Sequence, residues 1–120
     1  MKPTLEKTSF GSITIDGQEY SHDILIRLGG SIEKRAKKLS KQVYGTSHTL
    51  SLAEAQHIYQ VGAKRLIIGT GQYGLVTLSP EAQEFFDAQG LMVELLATPE
   101  ALETWNQAGE AVIGLFHVTC

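Results

Sequence analysis

Residues 79–119, SPEAQEFFDAQGLMVELLATPEALETWNQAGEAVIGLFHVT, decide the fold class. Ser79 followed by Pro80 reads as a helix start: a serine side chain can cap the free backbone N–H groups of a first turn, and proline lacks an N–H to leave unpaired. Ala82, Phe85 and Phe86 then share one helical face, and Gly90 supplies a stop. The run 91–96, LMVELL, follows as a strand. Thr98-Pro99 opens a second helix by the same logic, with Ala101, Leu102, Trp105 and Ala108 facing inward and Gly109 at its end. Residues 111–119, AVIGLFHVT, are almost continuously apolar, as a strand buried on both faces must be.

The same punctuation occurs once upstream. Ser51 and Glu54 have the spacing of a capping box, in which each side chain satisfies a backbone donor at the other end of the first turn. Leu52, Ala55, Ile58 and Tyr59 give that helix an apolar stripe, Gly62 closes it, and residues 65–69, RLIIG, read as a buried strand. Helix and strand in alternation predict an α/β fold with right-handed crossovers.

The N-terminal part is β-rich. Residues 12–20, SITIDGQEY, alternate about Asp16-Gly17, a two-residue hairpin turn. Residues 23–28, DILIRL, form the next strand, ended by Gly29-Gly30. Residues 31–45 admit two readings. Ile32, Ala36, Leu39 and Val43 sit at helical spacing, whereas the two glycines suit a hairpin that continues through Ser31 to Arg35. The strand is preferred.

A chain of 120 residues is the size of one domain, taken as residues 1–120. No run approaches the ~20 apolar residues of a membrane span, and the first residues lack the apolar stretch of a signal peptide. The lone Cys120 allows no internal disulfide. These features lead to the expectation of a cytoplasmic protein without membrane contact. Net charge is −3, unevenly spread. Residues 1–65 carry all ten bases and six acids; residues 66–120 carry seven acids and no base. The molecule is polarised, which favours encounter with a charged partner protein or a second copy. Self-association of that kind weakens with salt.

Several groups could carry chemistry. Gly69, Gly71 and Gly74 spell G-x-G-x-x-G after a strand, with Glu94 about 20 residues on, as in a dinucleotide site. The loop runs into β-rich residues 75–78 instead of a helix, so no nucleotide cofactor is expected; free loop N–H groups could instead cradle an anion. On an extended strand His117 and Thr119 share a face and Cys120 does not, which disfavours a His117–Cys120 nucleophile pair. His22, His48, His57 and Asp23 lack metal-ligand spacing, so no metal is expected. Residues 44–48, YGTSH, could bring Thr46, Ser47 and His48 to a pocket. Arg27, Lys34, Arg35, Lys37, Lys38 and Lys41 form a basic stretch almost without aromatic residues, which reads as a solvated face or guarded edge and disfavours nucleic acid.

The stretches GQEYSHDILI (17–26), LIIGTG (66–71), TPEALETWN (98–106) and GLFHVTC (114–120) together resemble the Mth-type domain family. That family includes bacterial and archaeal single-domain proteins, an adipogenesis-associated cytoplasmic protein and a mitochondrial assembly factor for respiratory complex I. The resemblance implies a three-layer α/β fold, with a mixed central sheet flanked by helices and additional N-terminal strands. It implies no established reaction. The positions that carry over are Gly69, Thr70 and Gly71; Thr98, Ala101 and Asn106; His117, Thr119 and Cys120; and the acidic Asp23. Trp105 stands where many members have tyrosine, and residues 39–48 look like an insert.

The expected site is therefore a shallow polar pocket lined by His48, Gly69, Thr70, Gly71 and Thr98, with Asn106 fixing the adjoining helix and His117 and Cys120 as further candidates. The expected function is non-enzymatic, a binding or assembly-type domain acting through protein contacts. The alternative is a binder of a small anionic ligand, or a modest enzyme, at the glycine loop.

Overall fold

The computed structural model describes all 120 residues. Strands β1 (Leu5–Ser9), β2 (Ser12–Ile15) and β3 (Gln18–Tyr20) form an antiparallel three-stranded sheet. Its second hairpin turns on Asp16 and Gly17, both at positive φ (48° and 82°), the backbone that the Asp-Gly pair favours. Ile13 and Ile15 alternate inward.

Strands β4 (Ile24–Ile26) and β5 (Ile32–Lys34) pair antiparallel across a 3-10 turn at Leu28–Gly30. The preferred hairpin is thus present, and helix α1 (Lys38–Tyr44) follows it. The helical stripe through residues 31–45 is a coincidence of two elements: Ile32 lies on the strand, and Val43 is exposed.

The second half supplies β6 (Thr49–Leu50), α2 (Leu52–Ile58), β7 (Arg65–Thr70), β8 (Thr77–Leu78), α3 (Pro80–Ala88), β9 (Met92–Leu96), α4 (Thr98–Gln107) and β10 (Val112–His117). The central sheet has the order β5-β4-β10-β7-β9, and β6 pairs separately with β8. Strands β10, β7 and β9 run parallel, and β4 and β5 antiparallel, so the sheet is mixed. The chain leaves β7 for β9 on one side and returns past it to β10 on the other. Connections of one hand then place α3 and α4 on opposite faces, and β7 and β10 flank the point where the direction reverses.

Alternation distributes the core accordingly. Leu66, Ile68, Ile113 and Leu115 face Ala55 and Ile58 of α2 and Ala82 and Phe86 of α3. Ile24, Ile26, Ile67 and Phe116 face Ala101, Leu102 and Trp105 of α4, together with Leu5, Ile13 and Ile15 of the small sheet. The result is three layers: α2 and α3, the mixed sheet, then α4 with the N-terminal strands. Gly114 permits the second contact, since a Cβ there would lie 2.9 Å from the Trp105 ring and 2.6 Å from that of Phe116.

The helix punctuation needs correction in three places. Ser79 caps α3 through the Ala82 N–H, and Gly90 takes a positive φ after it, in agreement with the sequence. Helix α2, however, ends at Ile58, well before Gly62. Helix α4 ends at Gln107, and Gly109 is not in the left-handed region. Thr98 is not a cap: Ala97 holds that position, and the Thr98 hydroxyl is used elsewhere.

Candidate functional site

The carboxyl ends of β7 and β10 lie side by side, and the segments leaving the two strands meet there. Past β7 comes the loop Gly71–Val76; past β10 come Val118, Thr119 and Cys120. In open α/β sheets this crevice is where ligands bind. Here it holds the chain's own final residues. The Gln72 N–H donates to Thr119 O at 2.7 Å, and the Tyr73 and Leu75 N–H groups donate to Cys120 O at 3.3 and 3.2 Å. The Gly71 N–H donates to Thr98 Oγ1 (2.9 Å), Gly74 N–H to Gly71 O, and Val76 N–H to Thr70 O. The donors that could have formed an anion cradle are engaged. No helix begins at Gly74, because β8 intervenes before α3.

Gly71 is required by this closure. Its φ is +107°, and a Cβ would run into the main chain of Cys120 and approach the His117 ring at 2.8 Å. Gly71→Ala should displace residues 118–120 and cost about 1–3 kcal/mol. Amide hydrogen exchange checks this: the Gln72, Tyr73 and Leu75 amides should lose protection first, and unchanged protection there would show that the loop does not depend on the tail.

Thr98 ties the strands together. Its hydroxyl donates to His117 O at 2.6 Å while accepting from Gly71, and Thr70 Oγ1 donates to Leu96 O at 3.0 Å. Gly69 lies against Thr98 and Phe116 with no room for a side chain, a Cβ falling 2.9 Å from Thr98 Oγ1. His48 meets His117 edge-on, ring centres 5.4 Å apart. The structure therefore brings together His48, Gly69, Thr70, Gly71, Thr98, His117 and the main chain of Cys120. Asn106 is placed elsewhere: its side chain clasps both the N–H and C=O of Leu5, anchoring β1 to α4.

Behind His117 lies a buried ionic cluster. Asp23 Oδ2 accepts from His117 Nδ1 (2.7 Å) and Arg35 Nη1 (3.0 Å), and Oδ1 accepts from the Val118 N–H (2.9 Å). Arg35 also grips Glu54 with two bonds, 2.7 and 3.0 Å, and donates to Ser47 O. Ser40 Oγ donates to Glu54 Oε1 at 2.5 Å and accepts from the Ser51 N–H. Burial pushes the Asp23 carboxyl up, but the His117 hydrogen bond, the Val118 N–H and the charges of His117 and Arg35 hold it down at about 2. Burial also opposes the Arg35 charge, and Glu54 and Asp23 overcome it, raising its pKa. An ionised Asp23 can only accept, so His117 donates from Nδ1. In the neutral ring Nε2 is then the acceptor facing the Thr119 hydroxyl, 3.2 Å away. That polarises Thr119, yet the neighbouring loop N–H groups are already taken, so no oxyanion site faces it.

Comparison with known proteins places this arrangement. The model for the family described as "Protein of unknown function (DUF498/DUF598)" matches residues 5–117. The chain belongs to this family. A conserved hypothetical protein, PH1505 from Pyrococcus horikoshii OT3, is 34% identical and superposes with a TM-score of 0.88 over 98% of this chain and 99% of that one. A protein named MT938 is 31% identical, with a TM-score of 0.82 over 99% and 100% of the two chains. A Mth938-like domain from Bordetella pertussis shares the fold at 18% identity, with a TM-score of 0.64 over 97% and 85%. The Mth-type resemblance and its three-layer fold are thereby established.

In this DUF498/DUF598 domain, sequence reading missed Arg35 and Glu54 as a pair. Half of the Ser51–Glu54 capping box is real, for Ser51 Oγ accepts from the Glu54 N–H. The Glu54 side chain does not return to Ser51; it is buried on Arg35 and Ser40. Every buried side-chain nitrogen and oxygen has a partner. No three His, Cys, Asp or Glu side chains converge as metal ligands. The one cleft, about 180 Å³, opens at the other end of β7 and β10, between Lys64, Arg65, Gly109, Ala111 and Val112.

The depressed Asp23 value carries a pH signature. Its contribution to stability is complete above the ordinary value of 3.8 and drains as pH falls toward about 2. The loss amounts to roughly 2 kcal/mol, at 1.36 kcal/mol per unit. Urea unfolding across that window should fall more steeply for the wild type than for Asp23→Asn. Parallel curves would remove Asp23 as the source of acid sensitivity.

Proposed function

We propose that this domain is a non-enzymatic protein-binding module of assembly type, working in the cytoplasm through surface contacts with a partner protein. One observation carries the reading: the crevice where an α/β sheet would take a ligand is filled and hydrogen-bonded by residues 118–120. The rim of that filled crevice is apolar. Phe10, in the turn between β1 and β2, and Tyr73, in the loop after β7, lie with ring centres 5.9 Å apart, both well exposed, and Leu75, two residues past Tyr73, is half-exposed. Exposed aromatic side chains are favoured contact residues. No helix is long and apolar enough to cross a membrane.

The competing reading, an anionic-ligand binder or modest enzyme at Gly69–Gly71, requires the tail to leave the loop. A thermal-shift screen of phosphates, carboxylates and nucleotides separates the two, because a ligand of the native state raises its melting temperature. The expected result is no shift. In parallel, a partner captured by cross-linking should be lost from the Phe10→Ser/Tyr73→Ser double variant with its fold intact by circular dichroism. A reproducible ligand-induced shift, larger in Gly71→Ala where residues 118–120 are displaced, would overturn the protein-binding reading.

A further inference from the structure

We propose that β9 is a pairing edge through which two copies of this chain join antiparallel, extending the central sheet into a second subunit. This deepens the protein-contact reading and rests on it, but uses a different surface from the Phe10–Tyr73 rim.

The two edges of the central sheet are unequal. Strand β5 has three residues and carries the exposed charges Glu33 and Lys34, the usual protection against unwanted pairing. Strand β9 has five residues in unbroken register with β7, with no lysine, arginine, proline or bulge. It exposes Met92 (63%) and Leu95 (39%). Its one charge, Glu94, is held within the subunit by Arg65 Nε at 2.5 Å.

The backbone fixes what this edge can accept. The Met92 N–H points inward to Lys64 O, and Leu96 O points inward to the Thr70 hydroxyl. Main-chain groups alternate sides along a strand, so those of Val93 and Leu95 point outward. A two-fold axis through Glu94 sets Val93 opposite Leu95 of the second copy, and Leu95 opposite its Val93. Both are then hydrogen-bonded pairs, each residue offering N–H and C=O to the other. The same axis sets Met92 opposite Leu96, so every cross-strand pair except the central Glu94–Glu94 pair is apolar. At the axis the two Glu94 carboxylates approach, each already bound to its own Arg65.

Sedimentation velocity from micromolar to submillimolar concentration tests the pairing. The wild type should dimerise, with little response to salt because the contact is apolar and main-chain. The amides of Val93 and Leu95 should gain protection from exchange as concentration rises. Val93→Pro deletes an outward donor that β7 does not use, and should weaken the dimer at least about tenfold. Leu95→Lys keeps every backbone group and should do the same, so loss of pairing is not confused with loss of fold. A monomer at all concentrations overturns the inference while leaving the partner-binding reading intact. So does a dimer that survives both variants, or one that salt dissolves. A ligand hit at the glycine loop would instead overturn the function reading and leave this pairing untouched.

Discussion

Arg35→Met should lower the unfolding free energy at neutral pH by about 3–5 kcal/mol, the cost of leaving buried charge without its counter-ion. Both carboxylates are inaccessible, Asp23 at 4% and Glu54 at 0% exposure, and Arg35 bonds to each. For a domain with ~5–15 kcal/mol in all, that is a large share. The pH dependence gives the loss an ionic signature. Without the guanidinium, the folded-state Asp23 pKa rises, so the penalty on its ionised form is relieved as pH falls through it. The deficit of Arg35→Met relative to wild type should therefore shrink toward pH 4. Replacing the set together, as Asp23→Asn/Arg35→Met/Glu54→Gln, removes the uncompensated charge and should recover part of the stability. Urea unfolding of the three proteins at two pH values measures this. A deficit equal at both would mean that Arg35 acts through packing of its stem and not through charge.

That cluster also shows where sequence reading stops. The Asp16-Gly17 hairpin, the Ser79-Pro80 start and the apolar face of Ala101, Leu102 and Trp105 were legible because each depends on residues a few positions apart. Arg35 was not, since it stands among Lys34, Lys37 and Lys38, and a run of bases reads as a solvated face. Nothing local separates the one base that turns inward. Glu54 offered a clue that the capping-box spacing concealed. The buried residues of α2 are Glu54, Ala55 and Ile58, whereas Leu52 is over a third exposed. A glutamate centred on the buried face demands a buried cation. The glycine loop failed differently: its tight turn was legible, but that Thr119 and Cys120 would occupy it is set by the pairing of β7 with β10, residues 47 apart in the chain. Asn106 was read as fixing a helix; it does so by holding Leu5, a partner that only tertiary structure supplies.

Trp105→Ala should cost about 3–5 kcal/mol as well, by emptying the second core layer. The ring is fully buried, meets Phe116 edge-on at 5.8 Å and lies over the Cβ-free surface of Gly114. Its indole N–H donates to Pro3 O at 2.9 Å, and Lys2 donates to the Trp105 carbonyl. The residue thus joins core packing to the attachment of the N-terminal segment, beside the Asn106–Leu5 clasp. Two consequences should separate. Trp105→Phe keeps most of the apolar volume but orphans Pro3 O, so it should lose the smaller amount, about 1–3 kcal/mol. Trp105→Ala should in addition loosen residues 1–9, exposing Lys7 to trypsin under native conditions. Unfolding followed by far-ultraviolet circular dichroism is the suitable readout, because the protein's single tryptophan is the residue removed. If Trp105→Ala lost under about 1 kcal/mol, or Lys7 stayed resistant, the small sheet would owe its place to Ile13 and Ile15 and not to the indole, and the role of Trp105 as the joint between α4 and the N-terminal strands would fail.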